Sequence, residues 1–512
     1  MAAMTHLSDS VQKSVQQFKE LDQKISHYTD ILGLMGWDLQ TGAPKKGREL
    51  FSKAKGTLSQ ELFNITVSEE MGRCLETLSS PEVYDQLDEV TRACVRERKH
   101  AYSKFKKIPP DLYKEFIILT SDAHSVWENA KANNDFAHYQ PTLEKIVSTM
   151  RKFIECYGYE GHPYNALLDD YEPGLTVEKL DPLFASLRES TIRLLQRIQK
   201  AGNRPKTEAL EGRFAPEKQR EFSLHVLPKL GFDMDAGRLD ESAHPFSQTI
   251  NTGDVRITTH YLENNVFSAI LSTIHECGHA LYEQGINPEY EGTVIREGAS
   301  MGVHESQSRF LENMVGRSFE FWKFFYADLQ SYFPEPFGLL PVEDFHRAIN
   351  AVEPSFIRTE ADELTYNLHI MIRYEIEKGL MAGEMEVRDL PRIWNEKMQE
   401  YLGITPPDDA HGVLQDVHWS FGGFGYFPSY SLGNLYAAQI LHTLKQEMPG
   451  FYGNIAKGEF APIRQWLKEN IHQYGKLYTP NELIKKVTGE ELNAKYLVSY
   501  LEDKFSKIYN LT

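Results

Sequence analysis

The sequence is poor in cysteine, and its few cysteines are widely spaced. The 512 residues include four, none of them in a Cys-x-x-Cys pair: Cys74, Cys94, Cys156 and Cys277. Secreted domains that depend on disulfides carry a much denser set. This cysteine usage excludes a disulfide framework and is typical of a protein in a reducing compartment.

Long hydrophobic runs are also missing. Residues 266–274 form one of the longest apolar stretches, and serine and threonine interrupt it, so it falls far short of a membrane span. Residues 1–12 are polar and contain no apolar core of a secretory signal. We therefore expect a cytoplasmic protein that does not contact membranes.

Positive charge is scarce compared with negative charge. There are 55 lysines and arginines against 73 aspartates and glutamates, which gives a net charge of −18, and no basic run is longer than pairs such as Lys45-Lys46. Proteins that bind nucleic acid neutralise phosphates with lysine and arginine. We therefore expect no nucleic-acid partner. The 41% hydrophobic and 25% charged residues are close to the globular average, so the chain can bury a large core.

Helical periodicity covers most of the chain. In residues 8–34, apolar side chains recur every three or four positions, and Gly33 and Gly36 predict the end of that helix. Similar patterns predict helices over residues 111–132, 177–201, 216–230, 365–381, 435–448 and 493–508. The exception is 254–261, where β-branched residues predict a strand in a hairpin that turns near Gly253. Without repeats or linkers, residues 1–512 are predicted to form one mainly α catalytic domain with a small β-sheet.

The residues most suited to chemistry lie in segment 265–284, which has helical periodicity. It contains His275-Glu276-Cys277-Gly278-His279, an HExxH sequence. Residues i and i+4 share one face of a helix, so both histidines can present a nitrogen to one Zn²⁺, with Gly278 leaving space between them. Glu276 is rotated about 100° from His275, beside the metal, where it can accept a proton from water.

Two unrelated histidines on a solvated helix would give the same pattern by chance. The flanks of this HExxH sequence are strongly apolar, however, and predict that the helix is buried. Buried imidazole and carboxylate groups need partners, so the flanks favour a metal site.

A catalytic zinc needs a third protein ligand and an open position for water. Tyr282 and Gly285 occupy the positions of the glycine and third histidine of HExxHxxGxxH, which excludes that longer motif. The third ligand is therefore expected to be a carboxylate from elsewhere, and the candidates are Glu283, Glu289, Glu291, Glu297 and Glu305. We choose Glu305, because a helix–turn–helix connection would return it to the HExxH helix, and we place Glu297 second.

Two further polar clusters stand in apolar surroundings. They are Ile357-Arg358-Thr359-Glu360-Ala361-Asp362 and Gly412-Val413-Leu414-Gln415-Asp416-Val417-His418-Trp419, the second followed by the aromatic, glycine-rich residues 421–430. Taken singly, these clusters also fit a capped helix, an Arg–Asp ion pair and an aromatic core.

Together these segments resemble the carboxypeptidase Taq family of zinc metallocarboxypeptidases. Five motifs of the family occur in order, at residues 254–258, 275–279, 304–307, 357–362 and 412–419. Trp37-Asp38 with Thr41 and Pro44 also resembles a feature of the family, so the resemblance covers nearly the whole chain. It implies a large, two-lobed, mainly helical fold with a deep central groove, usually assembled as a homodimer.

The resemblance also implies an activity, a cofactor and roles for single residues. The activity is removal of single residues from peptides with a free C-terminal carboxylate, with zinc or sometimes cobalt. By position, these residues match functional residues of the family: His275, His279 and Glu305 as metal ligands, Glu276 as catalytic base, Arg358 as the contact to the substrate carboxylate, Arg256 as a second contact, and His418 and Tyr430 as residues lining the site.

The chemistry of these residues agrees with the roles that the resemblance implies. A guanidinium such as that of Arg358 binds a terminal carboxylate in a bidentate way. Oxyanion charge that develops during peptide hydrolysis needs a donor, which His418, Tyr426 or Tyr430 can supply. Two other functions remain open: a zinc oligopeptidase that cleaves within peptides, and a peptide-binding protein without catalytic activity.

Overall fold

The structure of the protein, a computed structural model, describes residues 7–511. Its helices in chain order are α1 (Asp9–Gln40), α2 (Arg48–Thr66), α3 (Glu69–Leu78), α4 (Pro81–Tyr84), α5 (Glu89–Lys107), α6 (Pro110–Asn133), α7 (Phe136–Tyr157), α8 (Asn165–Tyr171), α9 (Val177–Lys200), α10 (Pro216–Leu230), α11 (Val266–Gly285), α12 (Met301–Arg309), α13 (Phe319–Tyr332), α14 (Pro334–Phe337), α15 (Val342–Ile349), α16 (Tyr366–Ala382), α17 (Leu390–Leu402), α18 (Pro428–Glu447), α19 (Phe451–Ala456), α20 (Ala461–Asn470), α21 (Pro480–Thr488) and α22 (Lys495–Tyr509). The prediction of a mainly α protein is confirmed. Residues 1–6 of the polar segment 1–12 lie outside the described residues.

A small three-stranded sheet precedes α11. Its strands are β1 (Gly237–Glu241), β2 (Ser247–Asn251) and β3 (Asp254–Thr259), arranged in the order β1-β3-β2. β3 is antiparallel to β2, with which it forms the predicted hairpin around Gly253, and it is parallel to β1. Val255 and Ile257 of β3 are fully buried, and the strand packs on α11. The sheet thus supports the helix that carries the HExxH sequence.

Helix α1 is longer than the sequence pattern predicts. The predicted end at Gly33 and Gly36 is wrong, because the helix continues to Gln40. Gly33 lies against β2, where an added Cβ would come within 2.9 Å of Nε2 of Gln248. The extra turn buries Trp37, whose ring centroid lies 5.3 Å from that of Phe246. Tertiary packing therefore outweighs the low helix propensity of the two glycines.

The chain divides into two compact units, each with its own core. Unit 1 comprises Met1–Lys106, Glu208–Val342 and Thr443–Gly489, and unit 2 comprises Lys107–Thr207, Glu343–His442 and Glu490–Thr512. In unit 1, α11 packs against α10, β3 and α12. In unit 2, α16 packs against α7, α9 and α17. That residues 1–512 act as one catalytic domain stays a prediction.

All four cysteines are free, as the sequence predicts. Cys74, Cys94 and Cys277 are buried and Cys156 is half-buried. Within residues 7–511, none of the helices has the length and apolar character needed to cross a membrane.

Candidate active site

The HExxH sequence lies in the second half of α11, within the predicted segment 265–284. The helix begins after Asn265, whose side-chain oxygen accepts a hydrogen bond from the backbone N–H of Ser268 at 3.1 Å. Most of α11 is buried on every side, so its polar side chains face a packed interior. His275 and His279 retain limited exposure, with 16% and 15% of the side-chain surface accessible.

His275, His279 and Glu305 form a group that can hold a metal ion. The Nε2 atoms of His275 and His279 lie 3.6 and 3.4 Å from Oε2 of Glu305, and the ligand atoms of all three lie within 4.8 Å of one another. Ligands about 2.1 Å from a tetrahedral zinc lie about 3.4 Å apart, so these three donors fit such an ion. The choice of Glu305 from the sequence therefore agrees with the geometry.

Glu305 reaches the histidines because α12 packs directly on α11. A Cβ on Gly278 would lie 2.4 Å from the backbone oxygen of Gln307 and 2.6 Å from Cα of Ser308. The space that the sequence suggests between the histidines is therefore not open. The backbone of α12 fills it, and only glycine at position 278 allows the two helices to approach this closely.

Three of the other carboxylates that the sequence offered as third ligand, Glu283, Glu291 and Glu297, have different partners. Oε1 of Glu283 lies 2.7 Å from Nε2 of His304, and Oε2 of Glu297 lies 2.5 Å from Nζ of Lys476. Glu291 accepts a hydrogen bond from the backbone N–H of Thr252 at 2.7 Å. These carboxylates make structural contacts, whereas Glu305 faces both histidines.

Each of the three donors is held by a neighbouring side chain. Nδ1 of His275 lies 2.9 Å from Oε2 of Glu312, and Nδ1 of His279 lies 2.5 Å from Nδ1 of His304. Nε of Arg309 donates to Oε1 of Glu305 at 2.6 Å. Such contacts orient metal ligands and fix the tautomer of the histidines.

Sequence reasoning missed these orienting residues. Arg309 and Glu312 follow Glu305 at spacings of four and seven residues, which place them on the same helix face, so the spacing offered a signal. Glu312 itself lies in residues 310–316, where the chain after α12 forms a wider π-helical turn. Such turns are frequent at functional sites.

Burial and charge set the protonation of this group. Burial opposes ionisation of Glu305, but Arg309 and His275 outweigh it and hold the pKa of this carboxyl well below its usual range. Burial lowers the pKa of His279 to about 3, which keeps its ring neutral. A neutral imidazole and an ionised carboxylate are the forms that bind a metal.

Glu276 lies in the same interior but does not belong to the donor group. Burial raises the pKa of its carboxyl to about 7, although the adjacent His275 opposes this rise. Ser247 of β2 forms a side-chain hydrogen bond with it, so the sheet contributes to its surroundings. A carboxyl group with a pKa near neutrality is suited to accept and release protons.

A second polar cluster lies in unit 2 and contains Arg358. Nε and Nη2 of Arg358 donate to Oδ1 of Asp416 at 3.0 and 2.9 Å, and Nη1 lies 3.1 Å from the hydroxyl of Tyr366. Oδ2 of Asp416 accepts from Nε of Arg373 at 2.7 Å. One carboxylate thus lies between two guanidinium groups, and these three side chains carry a net charge of +1.

The protonation of Arg358 is secured by this arrangement. Burial alone would lower the pKa of its guanidinium, but Asp416 outweighs burial and raises the pKa above its ordinary value. The side-chain oxygen of Gln415 accepts from the backbone N–H of Arg358 at 2.9 Å and from Nη2 of Arg373 at 2.8 Å. The neighbouring residues Gln415 and Asp416 therefore hold both arginines.

The structure brings His418 and Tyr430 together beside Arg358. Nε2 of His418 lies 3.3 Å from the Tyr430 hydroxyl, and the guanidinium of Arg358 lies 5.0 Å from the centroid of the Tyr430 ring. Burial lowers the pKa of His418 to about 4, so its ring is neutral near pH 7. The ring of Tyr426 lies 5.4 Å from those of both His418 and Tyr430, so both tyrosines remain candidates for the oxyanion contact.

Glu377 of α16 is a further residue that sequence reasoning missed. Its carboxylate accepts hydrogen bonds from the Tyr164 hydroxyl at 2.5 Å, from Nε1 of Trp419 at 2.7 Å and from the backbone N–H of Gly425 at 2.9 Å. The last two contacts tie down both ends of the segment that follows His418. The sequence signal for this residue was an acidic side chain among apolar residues of α16, which indicates a buried carboxylate that needs hydrogen-bond partners.

Arg256 lies on β3 in unit 1 and is paired within its own strand. Nε and Nη2 each lie 2.7 Å from an oxygen of Asp254, and the guanidinium lies 5.8 Å from the centroid of a Trp37 ring. It lines a cavity of 580 Å³ together with Trp37, Asp38 and Arg238. Arg256 and Arg358 thus belong to different clusters, in different units.

Comparisons with known proteins agree with these observations. The family model described as carboxypeptidase Taq (M32) metallopeptidase matches residues 17–505. Carboxypeptidase 1 of Bacillus subtilis is 50% identical over 496 residues, which cover 97% of this chain and 99% of that protein. Thermostable carboxypeptidase 1 of Thermus thermophilus is 42% identical and covers 96% of this chain and 98% of its own.

A solved structure is similar over the same length. The M32 carboxypeptidase from Deinococcus radiodurans R1 superimposes with a TM-score of 0.94 at 35% identity, covering 97% of this chain and 100% of that one. An HExxH sequence on a helix, with a carboxylate as third donor within 4.8 Å of the two histidines, is typical of a metallopeptidase. The chain belongs to the carboxypeptidase Taq family, and it is a metallocarboxypeptidase.

Proposed function

We propose that the protein releases single residues from the C-termini of peptides, with Zn²⁺ held by His275, His279 and Glu305. The observation that carries this proposal is the spacing of 3.4 and 3.6 Å between the two histidine Nε2 atoms and Oε2 of Glu305. When bound, the metal polarises the scissile carbonyl and lowers the pKa of water to about 7. Co²⁺ is the proposed substitute, because the family resemblance implies it.

Glu276 acts as the general base in this proposal. It follows the ligand His275 directly on α11, so its carboxylate projects beside the donor group rather than into it. It accepts a proton from the attacking water and passes that proton to the leaving amine. A carboxyl pKa of about 7 supports both transfers, because neither protonation state is strongly favoured near neutral pH.

Arg358 binds the C-terminal carboxylate of the substrate. Within residues 7–511, its contacts with Asp416 and Tyr366 use three of the five guanidinium N–H groups, which leaves two for a carboxylate. The local net charge of +1 attracts an anion, although the whole chain carries −18. Arg256 is proposed as a second contact, with its charge already partly balanced by Asp254.

His418 and Tyr430 act together on the negative charge that develops on the substrate: His418 donates to it, and the Tyr430 hydroxyl fixes the tautomer of His418. His418 is neutral, and its Nδ1 has no hydrogen-bond partner among the described residues. If Nε2 accepts the Tyr430 hydroxyl proton at 3.3 Å, Nδ1 carries a hydrogen that it can donate. A donor that meets developing charge where bulk water is excluded contributes strongly to catalysis.

Assembly and location complete the proposal. We propose a homodimer, which the family resemblance supports, and a cytoplasmic protein without nucleic-acid or membrane partners. The four free cysteines support a reducing compartment, and the net charge of −18 disfavours nucleic acid.

The test compares one N-blocked peptide with a free C-terminus and the same peptide with an amidated C-terminus. We expect cleavage of the free form only, and Arg358→Ala should lower kcat/KM for that form by about 100-fold or more, because a buried charge contact is lost. Arg388→Ala is the matched control, since Arg388 forms an exposed ion pair with Glu386 in the same unit.

Two outcomes would contradict the proposal. Equal cleavage of the free and amidated peptides would indicate an oligopeptidase that cleaves within chains. Binding of peptides without cleavage, by a protein that lacks stoichiometric metal, would indicate a peptide-binding protein without catalytic activity.

A further inference from the structure

His279 belongs to a chain of three polar side chains that begins at its Nδ1 atom. Nδ1 of His279 lies 2.5 Å from Nδ1 of His304, and Nε2 of His304 lies 2.7 Å from Oε1 of Glu283. Glu283 is on α11, one helical turn after His279, and His304 is on α12 next to Glu305. The chain of contacts therefore links the two helices that supply the metal donors.

The direction of these hydrogen bonds follows from the chemistry of the three groups. A carboxylate only accepts, so Nε2 of His304 must carry the hydrogen in its contact with Glu283. In a neutral His304 ring, Nδ1 is then an acceptor, and Nδ1 of His279 must be the donor. His279 is thereby left with an unprotonated Nε2, the atom that lies 3.4 Å from Oε2 of Glu305.

The His304 ring is held in place from several sides. Its centroid lies 4.6 Å from that of the His279 ring and 5.3 Å from that of Tyr282. Gly298 makes room for it, because a Cβ there would lie 2.7 Å from Cδ2 of His304. The Tyr282 ring is fixed in turn, since its hydroxyl accepts from the backbone N–H of Ala299 at 3.0 Å.

We propose that Glu283 and His304 are positioning residues that fix the tautomer of His279 so that its Nε2 faces the metal. His275 reaches the same result by a shorter route, because its Nδ1 meets Glu312 directly. The inference rests on the metal site of the proposed function. It adds that the two histidines are oriented by different sets of hydrogen-bond partners. His279 is oriented through a second histidine, His304, whereas His275 contacts a carboxylate directly.

The test measures zinc affinity by titrating the zinc-loaded full-length chain with a chelator. His304→Leu should weaken zinc binding by about 10–100-fold, as is typical when the outer partner of a metal ligand is lost. His304→Asn places an acceptor oxygen near the position of Nδ1 and should restore affinity to within a few-fold of wild type. Glu283→Gln keeps an acceptor oxygen, but its amide can also donate, so it no longer forces Nε2 of His304 to be the donor. This substitution should weaken zinc binding by about 3–10-fold.

The matched control is His225→Leu. His225 of α10 contacts Asp328 of α13 at 2.8 Å and resembles His304 in pairing with a carboxylate, but it has no contact with the donor group. Its substitution should leave zinc affinity unchanged. A loss that is equal for His304→Asn and His304→Leu would overturn the proposal, because a purely steric role explains that result.

The outcomes separate this inference from the proposed function. Failure of the wild-type chain to bind stoichiometric zinc would contradict the metal site itself. Normal zinc binding by wild type, together with unchanged affinity in His304→Leu and Glu283→Gln, would overturn the tautomer proposal alone. If His304→Leu does not fold, Glu283→Gln and His304→Asn decide the question by the same titration.

Discussion

Glu276 and Glu377 are two buried carboxyl groups with similar titration but different surroundings. Burial raises the pKa of each to about 7. Glu276 has the metal donor His275 beside it and is the proposed general base, whereas Glu377 accepts three hydrogen bonds inside unit 2. A raised pKa alone therefore does not identify a catalytic group, and the contacts of the carboxylate decide its role.

For Glu276, the expected result is loss of turnover with retention of metal. Glu276→Gln keeps the shape of the side chain but cannot accept the proton of water, so kcat should fall by about 100- to 10,000-fold. Zinc content, measured by atomic absorption, should remain stoichiometric. The control is Glu263→Gln, which removes an exposed ion pair with Arg213 in the same unit. Substantial remaining activity would mean that another group takes the proton.

For Glu377, the expected result is a pH-dependent stability. Its folded pKa of about 7 lies above the ordinary value of 4.5, so the folded state holds a proton that the unfolded state has lost between these values. The contribution of Glu377 to the free energy of unfolding should therefore fall as pH rises from about 4.5 to 7, by about 3 kcal/mol. Urea unfolding of wild type and of Glu377→Gln at several pH values checks this. The free energy of unfolding of wild type should fall relative to that of the variant between about pH 4.5 and 7. If the free energies of unfolding of the two proteins change in parallel with pH, the assigned titration of Glu377 is wrong.

At the scale of elements, the contact between α11 and α12 builds the metal site. Gly278 faces the backbone of Gln307 and Ser308, and this close approach sets the distance of Glu305 from the two histidines. The π-helical residues 310–316 then carry Glu312 to His275. The donor geometry is thus a property of two packed helices rather than of the HExxH sequence alone.

Gly278→Ala should separate these two helices. The added methyl group meets rigid backbone, so we expect destabilisation of about 2 kcal/mol and weaker zinc binding. Gly56→Ala is the control: Gly56 lies inside α2 with no atom near its Cβ position, and alanine there should stabilise the helix by up to about 1 kcal/mol. Calorimetric melting of both variants checks the pair. Similar changes in melting temperature in both variants would contradict the role of the contact between α11 and α12 at Gly278.

Periodic and local features of the fold could be predicted from the sequence. The long helices follow from apolar spacing, the hairpin follows from its β-branched residues, and the place of Glu305 follows from the return of the next helix, α12, onto α11. The contacts of Glu377 with Trp419 and of His304 with Glu283 could not be predicted, because they depend on packing between separate helices. The extension of α1 was missed for the same reason, since the strand that packs on Gly33 is more than 200 residues away.

At the scale of the whole molecule, charge and metal donors are distributed unevenly. The chain carries −18 overall, yet Arg358 and Arg373 share a single carboxylate, Asp416. In the proposed function, an anionic peptide end is therefore attracted to this local cluster rather than to the surface as a whole. The metal donors, in contrast, all come from α11 and α12 in unit 1.

Removal of the metal should therefore lower the local stability of unit 1 before that of unit 2. At free zinc about 1,000 times Kd, binding stabilises the folded state by about 4 kcal/mol, and a chelator removes this contribution. Hydrogen exchange should accelerate in α11 and α12 after chelation, while α16 in unit 2 serves as the internal control. Readdition of zinc should restore protection. Equal acceleration in α16 would contradict a stabilisation that is local to unit 1.

The fully buried thiol of Cys277 has a consequence for the durability of the site. It lies two positions after His275, which turns it about 200° away from that ligand and into the apolar interior. Burial raises the pKa of this thiol, so little of the reactive thiolate exists. Peroxide, heavy metals and alkylating agents therefore reach it only when α11 leaves the core. The helix that carries the metal ligands thus holds a soft, oxidisable atom where neither the catalytic ion nor damaging electrophiles meet it.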